Sequence, residues 1–190
     1  MAIDSGRIEA AVAEILAAIG EDPARPGLSS TPQRVAQAYG DYFSGLGQDP
    51  LEHLADPVEI GDELSELVLL RDIEFRSICE HHLLPFTGLA HLAYVPGTRI
   101  VGLGKLPRVV ETLASRPQLQ ERLTEEIADA LDEGLAPAGV LVVIDAVHGC
   151  VSARGARQAK SSTVTLASRG TLSNPVERAE VMALIGGSRG

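Results

Sequence analysis

Two cysteines, each beside histidine, mark where this chain can do chemistry: Cys79-Glu80-His81-His82 and His148-Gly149-Cys150. Two thiolates plus one imidazole make a tripod suited to zinc, with a fourth position open to water. An open site of that kind implies hydrolysis. Spacing leaves the imidazole undecided among His81, His82 and His148. The histidines left over would lie within reach of the metal, where rings that titrate near neutral pH are natural proton carriers. If extended geometry persists through His148 and Cys150, both side chains point to one face. Competing readings are a closed four-ligand structural zinc, buried thiols without metal, and a Cys79–Cys150 disulfide, which a reducing compartment disfavours. Glu80 reads as solvent-facing, His91 as an ordinary strand residue, and His53 as a loop residue without a signal.

The net charge of −10 argues against nucleic acid as the main partner. That total conceals a segregation. No acidic residue occurs from Ala146 to Val176, which contains Arg154, Arg157, Lys160 and Arg169. The same holds from His81 to Val110, with Arg99, Lys105 and Arg108. Positive charge therefore follows the Cys/His clusters, and a cationic pocket in an acidic protein suits a small anionic ligand. No apolar run approaches the roughly 18 residues of a membrane span. The N-terminus carries Asp4, Glu9 and Glu14 and is periodic, unlike a signal peptide. With only two cysteines, the expectation is a cytoplasmic protein.

The elements that must position these residues are legible from periodicity. Ile8, Val12, Ile15, Leu16 and Ile19 recur at helical spacing up to Gly20. Thr31-Pro32 opens a second helix with Val35, Ala38, Tyr39, Tyr42 and Phe43 as its apolar stripe. Strands are expected over Leu67 to Ser77 and Leu89 to Val95, with the first half-site between them. Helices follow over Lys105 to Ser115 and along Leu119, Leu123, Ile127, Leu131 and Leu135. Strands over Val140 to Val147 and Ser161 to Ser168 precede a last helix, opened by Asn174-Pro175-Val176-Glu177. The order predicts an α+β chain: a helical segment over 1–60, then a ββααββ antiparallel sheet with helices on one side over 61–190. With 3% aromatics and no Trp, its core must be aliphatic. Open sheet edges favour a homo-oligomer.

The stretches CEHHLLPFTG, VGLGKLPRVV, RPQLQERLTEEI and DAVHGCVSARG, in this order, resemble the signatures of GTP cyclohydrolase I, from Thr31 to the last helix. The resemblance implies the tunnelling fold, a homodecamer of two stacked pentamers, and active sites between subunits. It implies GTP as substrate and 7,8-dihydroneopterin triphosphate and formate as products. By position, Cys79, His82 and Cys150 would hold Zn2+, with His81 and His148 as the acid–base pair. Gln120 and Glu121 match the segment that reads guanine, Gln120 counting among the catalytic residues. Lys105, Arg108, Arg154 and Arg34 match positions that hold the triphosphate, with Arg157 and Lys160 as helpers.

Two positions depart from the family pattern. Gly104 stands where serine is usual, and Gln37 where lysine is common; each removes a polar contact to phosphate or ribose. Two rival readings follow from the same residues. A related enzyme acting on a deazaguanine would not need the two-Cys-plus-His tripod. A non-catalytic zinc oligomer would bind guanine nucleotides without releasing formate.

Overall fold

The computed structural model describes residues 3–61 and 66–187. The outermost residues of the two expected segments, 1–2 and 188–190, and the stretch 62–65 near their boundary lie outside the described residues. Helix α1 (Ser5–Ala18) is capped by the Asp4 side chain, which accepts from the Arg7 N–H, and Gly20, at φ +88°, lies just beyond its end. It packs along α2 (Thr31–Tyr42). That helix begins one residue earlier than a Thr31 cap would place it, with Ser30 in the cap position. Only Ala36 of α2 is fully buried, so the expected stripe is half-covered. A 3-10 turn, Pro50–Leu54, sends Leu54 into the main core.

A five-stranded sheet follows, in the order β5 (Pro117–Gln118), β2 (Val68–Cys79), β3 (Pro85–Val95), β6 (Gly139–His148), β7 (Thr163–Gly170). The pairs β2–β3, β3–β6 and β6–β7 are antiparallel, whereas β5 runs parallel to the end of β2. A separate small ladder joins β1 (Val58–Glu59) to β4 (Arg99–Ile100). Helices α3 (Lys105–Ala114) and α4 (Gln120–Leu135) lie between β4 and β6 in the chain and cover one face. Val140, Val142 and Ile144 alternate onto that face and pack with Leu106, Leu123, Ile127 and Leu131.

The opposite face is not bare, which corrects the expectation of helices on one side only. Leu141 and Val143 point there and meet Val181, Met182 and Ile185 of α6 (Pro175–Gly186). Asn174 caps α6 through the Val176 N–H. Gly88 is required where β3 and β6 approach, because a Cβ there would collide with the Asp145 carbonyl.

One irregularity in β2 decides where the chemistry sits. Val68 and Leu70 face the helices, but beyond a bulge between Leu70 and Ile73 the helix-facing set becomes Ile73, Phe75 and Cys79. An inserted residue shifts a strand's alternation by one, moving every later side chain to the other face. Asp72 sits there at φ +59°, its N–H donating to His91 Nδ1 at 3.1 Å. Burial lowers the proton affinity of His91 against the opposing pull of Asp72, and its Nδ1 serves as the acceptor. The bulge thus delivers Cys79 to the helix-covered side.

Candidate functional site

At one end of the sheet, four neighbouring strands present Cys79, Phe86, His148 and Thr165 towards the start of α4. Cys79 closes β2, and the chain turns through Glu80, His81 and His82 before β3. The turn is closed by two bonds of 2.9 Å, Leu83 N–H to Cys79 O and Cys79 N–H to Leu84 O. Leu83 occupies the left-handed region at φ +51°. Glu80 is not merely solvent-facing: Arg122 of α4 grips both its carboxylate oxygens, at 2.7 and 3.1 Å. The Glu80 N–H also donates to the Gln118 carbonyl at 3.0 Å, so β5 and α4 hold the turn from both sides.

His148 is the last residue of β6, and the backbone then winds into α5 (Gly149–Ser152). Cys150 therefore reaches the site on a helical turn, not by continued strand alternation, as extended geometry would have had it. Gly149 lies tight against the Pro85 carbonyl, where a Cβ would stand 2.8 Å from the oxygen.

Cys79 Sγ, Cys150 Sγ and a His82 ring nitrogen lie within 4.8 Å of one another. Both thiols are free. Cys79 is buried, Cys150 half-buried and His82 exposed, so the group is anchored inside and open outside. Burial and then the neighbouring Cys79 push the Cys150 thiol up, with Arg154 pulling weakly the other way. Two sulfurs this close resist joint ionisation unless a cation lies between them, which is what a metal-binding pair requires. This group could hold a metal ion. His81 is exposed, its ring perpendicular to that of His82 at 6.3 Å between centroids.

His148 stacks on Phe86 with centroids 4.7 Å apart and planes 2° from parallel. Its Nε2 lies 2.6 Å from Gln120 Oε1. Burial lowers its proton affinity, and Glu121 partly offsets that. Gln120 is 1% exposed, with its nitrogen bonded to Ile144 O, Thr163 O and Thr165 Oγ1. The structure therefore places its carboxamide behind His148 and not on an open surface. Glu121 is exposed in the first turn of α4, which has no side-chain cap.

The basic residues are looser. Lys105, first in α3, meets the exposed Asp56 at 3.4 Å. Arg108, one turn on, borders a groove of about 240 Å³ with His53, Gln48 and Glu111. His53, without a signal in the sequence, bonds Thr112 Oγ1 at 2.9 Å. Arg34 is exposed on α2, while Arg154, Arg157 and Lys160 are exposed after α5. Among the described residues, no hydrogen bond or ion pair joins Arg34, Lys105 or Arg108 to the thiol–imidazole group.

The family model for GTP cyclohydrolase I matches residues 8–186. The chain belongs to the GTP cyclohydrolase I family. Relatives named GTP cyclohydrolase 1 include that of Leifsonia xyli subsp. xyli, 61% identical over 183 residues and 96% of each chain. Another, from Halalkalibacterium halodurans, is 54% identical over 187 residues, 97% of this chain and 98% of the relative. Among solved structures, an apo archaeosine synthase QueF-Like overlaps 55% of this chain and 93% of its own at 15% identity. Its TM-score of 0.44 is too low to carry an argument. Within the matched span, the CEHH and HGC stretches are those that the structure brings together. No helix among the described residues is long and apolar enough to cross a membrane.

Proposed function

We propose that the chain hydrolyses the guanine ring of GTP, releases C8 as formate and forms 7,8-dihydroneopterin triphosphate. Family membership across nearly the whole chain supports this. The observation that carries it is the convergence of Cys79, His82 and Cys150, with Cys150 two residues along the chain from His148. Two sulfurs and one imidazole suit zinc, and three protein ligands leave a position for substrate or water. Bound zinc supplies Lewis acidity that activates water near neutral pH.

Side chains do the rest. His148 protonates N7 as the imidazole ring opens, and His81 shares the later proton transfers. Glu121 offers two acceptor oxygens to the ring N–H and exocyclic amine of guanine. The first turn of α4, which has no side-chain cap among the described residues, offers backbone N–H donors to its carbonyl. Lys105, Arg108, Arg154 and Arg34 hold the triphosphate, whose roughly four negative charges suit guanidinium forks. Anchoring the far end of the substrate orients the reacting end.

Residues 61–190 form the catalytic unit in this reading, with the helical segment 1–60 leaning on it. The scatter of the basic residues over separate elements supports a site completed between subunits. An open β7 edge with exposed Val164 and Leu166 supports strand pairing between copies, as in a tunnelling-fold homodecamer of two pentamers. Free thiols at ligand positions fit a reducing cytoplasm.

The test is incubation of metal-analysed protein with GTP while following formate and the pterin absorbance. Both are expected to rise together. Nucleotide binding without formate in the zinc-loaded protein would favour the non-catalytic reading, and a protein that holds no metal and releases no formate would favour the deazaguanine one.

A further inference from the structure

The Gln120 amide is wired in one direction. Its nitrogen lies 2.8 Å from Thr163 O, 3.1 Å from Ile144 O and 3.1 Å from Thr165 Oγ1. The two carbonyls can only accept. The Thr165 hydroxyl accepts too, because its hydrogen is committed elsewhere. Thr124 Oγ1 gives its own hydrogen to the Gln120 carbonyl at 2.7 Å, so Thr165 must supply the hydrogen of the 2.7 Å Thr124–Thr165 bond. Turning the amide over would set Oε1 against these oxygens with no hydrogen between them. Oε1 therefore faces His148, and an amide oxygen cannot donate. The hydrogen in the 2.6 Å contact must belong to His148 Nε2.

We propose that Gln120 is a positioning residue that holds His148 as the Nε2–H tautomer and leaves Nδ1 as the atom exchanging protons with substrate. Stacking on Phe86 fixes the plane of the ring. Among the described residues, Nδ1 makes no hydrogen bond, so it is the free nitrogen. The inference rests on His148 as the donor to N7 and adds which nitrogen acts. In that step the Nδ1–H bond of the imidazolium breaks and the N7–H bond forms. The electron pair stays on Nδ1, leaving the neutral Nε2–H ring that Gln120 Oε1 accepts from. Thr163 and Thr165 thereby couple strand β7 to the acid.

The experiment is nitrogen-15 NMR of the full-length, zinc-loaded protein labelled at histidine, with His148 assigned by signal loss in His148→Ala. At a pH where the ring is neutral, Nε2 is expected to carry the hydrogen and Nδ1 the lone pair. A ring protonated at Nδ1 with a bare Nε2 overturns the proposal. Gln120→Leu should give mixed tautomers and lower kcat roughly ten- to a hundredfold, with KM for GTP near that of the parent. An unchanged tautomer and unchanged kcat in a folded, zinc-replete Gln120→Leu protein would also overturn it. Should that variant not fold, the parent spectrum decides alone. Full turnover by His148→Ala would instead remove His148 from the reaction, an outcome distinct from a wrong tautomer in a protein that His148→Ala inactivates.

Discussion

The two ends of the proposed site are held in opposite ways. At the thiol–imidazole end, every group but His81 and His82 is wedged by the fold. Cys79 ends a strand whose phase is set by a bulge, Cys150 rides a tight helical turn, and Gln120 braces His148 from behind. At the cationic end, Arg34, Arg108 and Arg154 are exposed, and among the described residues Lys105 has an exposed aspartate, Asp56, as its one ion-pair partner. The difference separates two tasks. Bond-making groups need their geometry before substrate arrives, whereas a triphosphate can gather flexible cations around itself.

The sharpest way to break that contrast is at the rigid end. Cys150→Ala should abolish zinc retention and formate release together, checked by metal analysis and product assay; stoichiometric zinc with full turnover would contradict the ligand assignment. His148→Ala comes next. It should keep zinc and bind GTP, yet lose about 10²- to 10⁴-fold in kcat, the usual worth of a positioned acid–base group. At the flexible end, Arg108→Ala should raise KM for GTP with kcat nearly unchanged. The loss of one charge-assisted hydrogen bond, about 1.5–3 kcal/mol, corresponds to roughly ten- to a hundredfold. If kcat falls as far as KM rises, the cationic end is not a mere anchor.

The smallest effect belongs to Gly104→Ser, which restores the hydroxyl usual in the family. Nothing lies within 4 Å of a Cβ at Gly104, and this residue stands at the cap of α3 without a side-chain bond. The variant should fold normally and lower KM by at most about tenfold. An unaltered KM would show that the missing hydroxyl does not touch substrate.

Much of this was readable in the sequence because it is periodic or chemically rare. The apolar steps of α4 and the unbroken apolar run of β6 announce their elements, and two Cys/His clusters in a chain with two cysteines announce a candidate metal site. Spacing could not choose His82 over His81 or His148, since that depends on the turn closed by Leu83 and Leu84. Nor could it place Gln120. That residue is positioned by a two-residue parallel strand, too short to leave a pattern. The bulge did leave a trace, in the apolar phase that changes between Leu70 and Ile73, but one extra residue is easily taken for a continuous strand. Glu80 and Arg122 are charges of ordinary surface type, and only the folded chain shows them clasping.

The coordination proposed for Cys79, His82 and Cys150 is read most directly by X-ray absorption at the zinc edge, without reference to turnover. The expected shell for the zinc-loaded protein has two sulfurs at about 2.3 Å and nitrogen or oxygen scatterers at about 2.0–2.1 Å, one from His82 and one exchangeable. A shell with fewer than two sulfurs, or one unchanged in the Cys150→Ala variant, would contradict it.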